Sequence, residues 1–329
     1  MANETGAGSG AQQSDESEGG RVDAADRAAD LALRALVGVA RTLPYGARIR
    51  FGGAVFARAV APLTRMGARI DENLSYIYPD LSDAARRRRA RAAARQAGRL
   101  LMENYSSTEL ARRMASVAPT GPGLPALAAA RDEGRPVLLL TGHFGNYEAA
   151  RACLVAQGYE IGGLYRPMAN ALVNRHYVAT MQAIGGPIFP QGRAGTKGLI
   201  AHLKRGGMAM MLNDLYTGTG VTLPFLGRPA MTSPHPAEIA LRTGAEVVCV
   251  FGTRRGDGLS FDVEVEAPLP RTDALKMTRA YNDAVSARIR AHPEQWFWMH
   301  RRWKRKWNRG EGMEPGLHPA ELPSRRSRL

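Results

Sequence analysis

One stretch decides how this chain folds: Val137-Leu138-Leu139-Leu140-Thr141-Gly142-His143-Phe144-Gly145-Asn146-Tyr147-Glu148. Its apolar first residues predict a buried strand, and the pattern from 149 to 157 predicts a helix directly after it. His143 therefore lies where the strand ends, and Glu148 lies in the first turn of the helix. Such a corner places a base and a carboxylate beside free backbone N–H groups, so that it can deprotonate a hydroxyl and stabilise an oxyanion.

Strands and helices alternate on the carboxyl side of this corner. The patterns predict strands at 136–141, 160–164, 207–213, 246–253 and 259–267, and helices at 146–157, 170–184, 195–204, 235–243 and 272–291. This alternation is typical of an α/β domain whose mixed, mostly parallel sheet has helices on both faces. No internal repeat is present.

The amino-terminal side is helical by pattern, at 23–43, at 47–69 and from Ser82, a plausible N-cap, to about Arg113. Apolar faces flanked by arginines are typical of helices in a membrane interface, but such faces can equally pack on the core. No uncharged apolar run approaches the ~18–20 residues of a spanning helix. The predicted organisation is a disordered tail at 1–22, a helical, membrane-associating region at 23–117, an α/β core at 118–307 and a basic disordered tail at 308–329.

Charge and cysteine content limit the possible partners. The 329 residues include 45 Lys and Arg against 30 Asp and Glu, giving a net charge of +15. Nucleic acid or an anionic membrane could balance this charge, but no nucleic-acid-binding motif is present, so we predict a membrane surface and no nucleic acid. Cys153 and Cys249 lie far apart in the sequence, and we predict that both are buried among apolar residues. Two such cysteines fit a protein of a reducing compartment. No motif calls for a metal or a nucleotide cofactor.

Four segments resemble a known family. Residues 143–148 resemble the His-Phe-Gly-Asn-aromatic-acid signature of the bacterial late acyltransferases of lipid A synthesis, the lauroyl and myristoyl transferases of the lysophospholipid acyltransferase superfamily. The other matches, in the same order as in the family, are Tyr165-Arg166-Pro167-Met168 with Asn170, Leu223–Ala230, and the Trp-rich block Pro293–Lys304. The resemblance covers roughly residues 25–308 and implies a glycerolipid acyltransferase-like fold.

The resemblance implies a reaction at the cytoplasmic face of the cell inner membrane. An acyl carrier protein thioester, with no other cofactor, would donate a fatty acyl chain to a hydroxyl of a lipid A precursor. His143 would be the general base, and Glu148 would accept its other ring N–H, as the acid does in a Ser-His-Asp triad. With no Ser or Cys at the corner, we expect direct transfer. The alternatives are another glycolipid or lysolipid acceptor, or a non-catalytic lipid- or carrier-binding protein of the same fold.

Four further residues complete the predicted corner. The backbone N–H groups of Gly145 and Asn146 are candidate oxyanion donors, although the Asn146 side chain could equally cap the helix. Arg166 follows a strand and could bind a phosphate through its planar guanidinium group. Asn170 is assigned to substrate binding through its match to the family.

The predicted substrate contacts farther along the chain depend on the same resemblance. Phe225 and Gly227 would line the channel for the acyl chain. Arg301 and Arg302, interleaved with tryptophans, would meet the acidic carrier protein or lipid phosphates, since indole and cation together are typical of membrane interfaces. We assign Asp214 no catalytic role, because the residues after it depart from the pattern of the family.

Overall fold

A computed structural model describes residues 22–303. Its strands are β1 (Val137–Thr141), β2 (Ile161–Tyr165), β3 (Ile188–Pro190), β4 (Met208–Leu212), β5 (Val221–Phe225), β6 (Arg228–Thr232), β7 (Glu246–Arg254) and β8 (Phe261–Pro268). Six of them form one sheet in the order β3-β2-β4-β1-β7-β8, and β5 and β6 form a separate antiparallel hairpin. Only β8 runs antiparallel within the sheet, so the prediction of a mixed, mostly parallel sheet is confirmed.

Twelve α-helices accompany the strands in the described part of the chain. They are α1 (Ala24–Arg41), α2 (Tyr45–Val55), α3 (Ala61–Leu63), α4 (Arg65–Ile77), α5 (Asp83–Asn104), α6 (Ser107–Met114), α7 (Leu124–Asp132), α8 (Tyr147–Ala156), α9 (Ala171–Gln182), α10 (Arg193–Lys204), α11 (His235–Thr243) and α12 (Ala274–Ala291). A π-helical turn at Phe56–Val60 links α2 to α3, and a 3-10 turn spans Pro293–Gln295.

Helix boundaries differ from the prediction where the backbone leaves helical geometry. The single helix predicted at 47–69 is interrupted at Thr64, whose extended backbone ends α3 and whose side chain caps α4. Ser82 caps α5 as predicted, by accepting a bond from the backbone of Ala85. The predicted linker near 118–125 contains the start of α7, and β3 and the β5–β6 hairpin were not predicted. Residues 1–21 of the predicted first tail and the whole of 308–329 lie outside the described residues.

The central strand β1 has a buried layer on each face. Leu138 and Leu140 pack into one apolar cluster with residues of α10, α11 and α12. Val137 and Leu139 point the other way, into a cluster with residues of α6, α7 and α8. All five residues of β1 are buried. Helices therefore cover both faces, and β1 lies inside the sheet, buried on both sides.

The amino-terminal helices combine buried and exposed apolar residues. Tyr45 and Ile49 of α2 are buried against Met102 of α5, so part of this apolar surface does pack on the protein. Leu31 and Leu63, by contrast, are 68% and 85% exposed. Among residues 22–303, no helix combines the length and apolar character needed to cross a bilayer.

Candidate active site

His143 is held by a carboxylate from a different strand end. Its Nδ1 lies 2.7 Å from Oδ1 of Asp214, and its backbone N–H donates to Oδ2 of the same residue at 2.7 Å. Asp214 is fully buried, whereas the His143 side chain is 21% exposed. The pair thus has an inner acid and an outer imidazole that a substrate can reach.

Asp214 is kept ionised by the groups around it. Its Oδ2 also accepts a 2.8 Å bond from the indole Nε1–H of Trp296. Burial alone would raise the pKa of Asp214, but the charge and hydrogen bonds of His143, together with Trp296, lower it to about 2. An ionised carboxylate can only accept hydrogen bonds, so Nδ1 of His143 carries the hydrogen and Nε2 is left as the base.

Strand order brings the two residues together. β1 and β4 are parallel neighbours, with Thr141 opposite Leu212, so the residues that follow them lie side by side. The chain leaves β1 for one face of the sheet and leaves β4 for the other, which opens a crevice at the carboxyl ends of the strands. The hydroxyl of Tyr281 closes this arrangement by donating to Thr141 O at 2.7 Å and accepting from the backbone N–H of Asn213 at 3.2 Å.

The predicted pairing of Glu148 with His143 is wrong in its geometry. The Glu148 carboxylate instead binds Arg151, at 2.9 Å from Nε and 2.8 Å from Nη2. Both side chains are buried, and Arg151 also donates to the backbone oxygens of Met181 and Gly185. The physical reason is that Glu148 and Arg151 are three residues apart on one helix, where their side chains are neighbours. Glu148 therefore helps join α8 to the end of α9.

The amides predicted to bind an oxyanion already have partners. The N–H of Gly145 donates to Gln295 O and that of Asn146 to Gly252 O, both at 2.9 Å. The side chain of Asn146 caps α8 through Ala149, so the capping alternative is confirmed. Gly145 has φ +55°, and a Cβ there would lie 2.0 Å from Gly252 O. These residues shape the turn rather than offering free donors.

A second histidine lies beside His143, and two arginines act on the pKa of that second histidine. The ring of His300 lies 5.5 Å from that of His143, centroid to centroid. Burial, then the charge of His143, lowers the pKa of His300 to about 4, and Arg69 and Arg166 contribute in the same direction. Arg166 is exposed. The structure therefore brings the predicted anion binder Arg166 into the electrostatic neighbourhood of the site.

The other predicted substrate contacts have structural partners. Asn170 caps α9 and also donates to Asp26 O. Phe225 is fully buried against Trp296 and Trp303, which contradicts its predicted position in an acyl channel. Gly227 lies in the turn between β5 and β6, with φ +82°.

The two predicted arginines of the Trp-rich block differ from each other. Arg302 is fully buried and donates to the backbone oxygens of Leu215 and Met231 and to the hydroxyl of Thr232. It cannot contact a carrier protein or a lipid in this position, so that prediction is wrong. Arg301 is exposed and remains a candidate contact.

Comparison with known proteins identifies the family of the chain. The family model for the bacterial lipid A biosynthesis acyltransferases matches residues 21–305. The chain belongs to this family. The Haemophilus influenzae lipid A biosynthesis acyltransferase is 26% identical over 54% of this chain and 56% of its own length. The lipid A biosynthesis lauroyltransferase of Escherichia coli K12 is 26% identical over 80% and 87%. A phosphatidylinositol mannoside acyltransferase of Mycobacterium tuberculosis is 26% identical over 55% and 58%.

Membership in the lipid A acyltransferase family confirms the resemblance and the enzyme class predicted from the sequence. The chain spans little more than half the length of two of these three relatives. Asp214, Trp296 and Tyr281 support the site but were not predicted as parts of it. The signal for Asp214 was its position directly after a buried strand, the same position that marked His143. Among residues 22–303, no three His, Cys, Asp or Glu side chains are grouped to hold a metal ion.

Proposed function

We propose that this member of the lipid A acyltransferase family transfers a fatty acyl chain from an acyl carrier protein thioester to a hydroxyl of a lipid A precursor. The observation that carries the proposal is the His143–Asp214 pair, an accessible imidazole whose tautomer is set by a buried carboxylate. The acceptor class is supported by the family and by the names of its relatives in Haemophilus influenzae and Escherichia coli.

His143 acts as the general base through Nε2. It takes the proton of the acceptor hydroxyl as that oxygen attacks the thioester carbonyl, and Asp214 stabilises the imidazolium that forms. When the tetrahedral intermediate collapses, the C–S bond breaks, and His143 returns the proton to the thiolate that leaves. The acyl chain ends as an ester, and the carrier ends as a free thiol.

Transfer is direct, without an acyl-enzyme. Cysteine is a strong enzymatic nucleophile, and both cysteines of the chain are buried. Burial raises the pKa of the Cys153 thiol to about 11 and that of Cys249 further in the same direction. Neither is a thiolate at neutral pH, so neither is activated for attack.

Arg166 and Arg69 hold the anionic part of the substrate. Both are close enough to His300, beside His143, to influence its pKa. Guanidinium groups bind phosphate through two parallel hydrogen bonds. We place a phosphate of the acceptor lipid beside these two residues, with its hydroxyl directed to His143.

The chain works at the cytoplasmic face of the inner membrane. The exposed side chains of Leu31, Val39 and Leu63 lie on α1 and α3, and arginines flank them. Apolar residues beside cations favour the interface of an anionic bilayer. The net charge of +15 also favours association with an acidic carrier protein.

The test is mass spectrometry of a tetraacylated lipid A precursor incubated with acyl carrier protein thioesters. Wild type should add one acyl chain, and His143→Ala should slow this by about 10²–10⁴-fold, as expected for loss of a general base. His235→Ala is the matched control, because His235 is exposed and pairs with Glu238. Equal addition by wild type and His143→Ala would refute the assigned base.

A second acceptor is tested in the same assay, because the mycobacterial phosphatidylinositol mannoside acyltransferase has the same 26% identity to this chain as the Escherichia coli lauroyltransferase, over 55% of the chain instead of 80%. Offered both lipids in competition, the enzyme should acylate the lipid A precursor faster. Acylation of the mannoside alone would show that the proposed acceptor is wrong, while the proposed mechanism would be unaffected. No acylation of any acceptor, with binding of lipid or carrier intact, would favour a non-catalytic member of the family.

A further inference from the structure

A second cleft, whose lining includes neither His143 nor Asp214, lies between α5 and the end of β7. Its volume is about 540 Å³, and its walls include Gln96, Arg99, Thr253, Arg254, Arg255 and His292. This volume falls within the roughly 300–1,000 Å³ of small-molecule sites. Neither the proposed transfer reaction nor the family comparison gives these residues a role.

Three polar atoms of the cleft walls are buried without a hydrogen-bond partner in the described structure. They are Gln96 Oε1, Arg99 Nε and Arg254 Nε. Arg254 is only 3% exposed, so its Nε–H has little access to bulk water. A buried donor without an acceptor destabilises the folded state. The guanidinium of Arg99 calls for an anionic acceptor, and the Nε–H of Arg254, whose charge Glu103 already balances, calls for one further acceptor atom. The amide oxygen of Gln96 calls for a hydroxyl or other donor on the same ligand.

Arg99 has no ion-pair partner among the described residues of the cleft. Glu103 binds Arg254 and Asn146, and Asp262 binds Arg255. Among residues 22–303, no carboxylate lies within ion-pair distance of Arg99. Burial lowers the pKa of Arg99 most, the charges of Arg254 and Arg95 lower it further, and Glu103, whose carboxylate already binds Arg254, opposes them only in part.

Two acids also line the cleft. Asp262 is already paired with Arg255, and the charge of Glu294 acts on Tyr78 as well. The lining thus holds three arginines, Arg99, Arg254 and Arg255, against two acids, and Arg99 is the arginine among them without an ion pair in the described structure.

We propose that this cleft is a second phosphate site, in which Arg99 and Arg254 bind the phosphate group of a phosphate ester. The ligand class is a phosphate whose neighbouring hydroxyl or P–OH group donates to Gln96. A lipid headgroup is the favoured source. Helix α2 contacts the cleft, because Gly53 packs on Arg95 and Arg99, and Phe51 of the same helix is 42% exposed.

The test is a phosphorus NMR titration of the full chain with inorganic phosphate, dihexanoyl phosphatidic acid and dihexanoyl phosphatidylcholine. Wild type should bind phosphatidic acid saturably, and Arg99→Gln should weaken this by about tenfold or more, as loss of a charge-assisted bond predicts. Arg91→Gln removes the same charge from an exposed position of α5 and should change affinity by less than about twofold. Gln96→Leu, which keeps every charge, should weaken binding as well.

The outcomes separate the possible sources and refute the site if it is absent. Tighter binding of phosphatidic acid than of inorganic phosphate, lost in Arg99→Gln, supports a lipid headgroup. Equal affinities, lost in the same variant, support the site with free phosphate as its ligand. Equal weakening by Arg91→Gln and Arg99→Gln, or no saturable binding by wild type, overturns the proposal. Acyl transfer enters none of these readouts, so failure here is distinct from failure of the proposed function.

Discussion

Replacing Asp214 by Asn probes the pair at its buried end. The carboxylate accepts three bonds, two from His143 and one from Trp296. An amide has one oxygen to accept them, and its NH₂ group must face at least one of these donors. Asp214→Asn therefore removes the negative charge and also disturbs the tautomer that leaves Nε2 of His143 free as the base.

The structure gives a scale for the electrostatic effect on rate. A fall in the pKa of Asp214 from 3.8 to about 2 corresponds to about 2 kcal/mol in favour of its ionised form, to which His143 and Trp296 both contribute. Losing the carboxylate charge beside the imidazolium that forms should therefore raise the barrier by an energy of this order, or roughly 30-fold in rate. The incorrect tautomer adds to this loss, and we expect kcat to fall by roughly 10²–10⁴-fold.

The assay compares Asp214→Asn with Glu148→Gln, a change of the same kind in the carboxylate that the sequence had suggested. Glu148 neutralises the buried Arg151, so Glu148→Gln should lower the free energy of unfolding by roughly 3 kcal/mol. Its kcat per folded molecule should stay within about tenfold of wild type, since the base keeps its partner. Acyl transfer is followed by mass spectrometry, and the folded fraction by urea unfolding.

The opposite ranking would refute the reasoning. If Glu148→Gln abolished transfer in fully folded protein while Asp214→Asn retained it, the acid acting on His143 would be Glu148 in the working enzyme. Stability under acid offers an independent check. The contribution of Asp214 is present above its ordinary pKa of 3.8 and is lost as pH falls through about 2. The difference in stability between wild type and Asp214→Asn should shrink over that interval.

Three further changes test the surroundings of the pair. Gly145→Ala forces a Cβ onto Gly252 O at a positive φ, so urea unfolding should show a loss of roughly 2–5 kcal/mol; an unchanged midpoint would contradict this. Tyr281→Phe leaves two backbone groups at the ends of β1 and β4 unpaired, and should cost roughly 1–3 kcal/mol and lower kcat with little change in KM. Burial lowers the pKa of His300 from 6.5 to about 4, so the folded state favours the neutral ring. The free energy of unfolding should therefore decrease as the pH is lowered from 6.5 to 4 in wild type, and this decrease should be absent in His300→Gln.

Local patterns were sufficient to predict one half of the site. The run before Thr141 and the helix pattern after Asn146 located His143 at a strand-to-helix corner, and the structure agrees within one residue at each end. The cap at Ser82 was equally readable, because capping depends on the residue and its immediate neighbours. These features are local in sequence, and sequence periodicity reports local structure.

The other half depends on strand order, which periodicity does not contain. Asp214 lies 71 residues beyond His143 and reaches it only because β4 inserts between β1 and β2. Glu148 was the acid nearest in sequence and was therefore preferred. Its actual partner, Arg151, lies three residues away on the same helix and was visible in the sequence. An i,i+3 arginine beside a candidate catalytic acid is thus a reason to seek the acid elsewhere.

The Trp-rich block shows how one composition supports opposite predictions. Indole and guanidinium groups together are typical of a membrane interface, but both can also be buried when their polar atoms find partners. Here Trp296 donates to Asp214, and Arg302 donates to one oxygen of the chain after Asp214 and to two oxygens of β6. The polar atoms that would have met lipid phosphates instead hold Asp214 and the chain around Leu215. Residues 293–303 therefore support the proposed active site, and the membrane contact that we propose is assigned to the exposed apolar residues of α1 and α3.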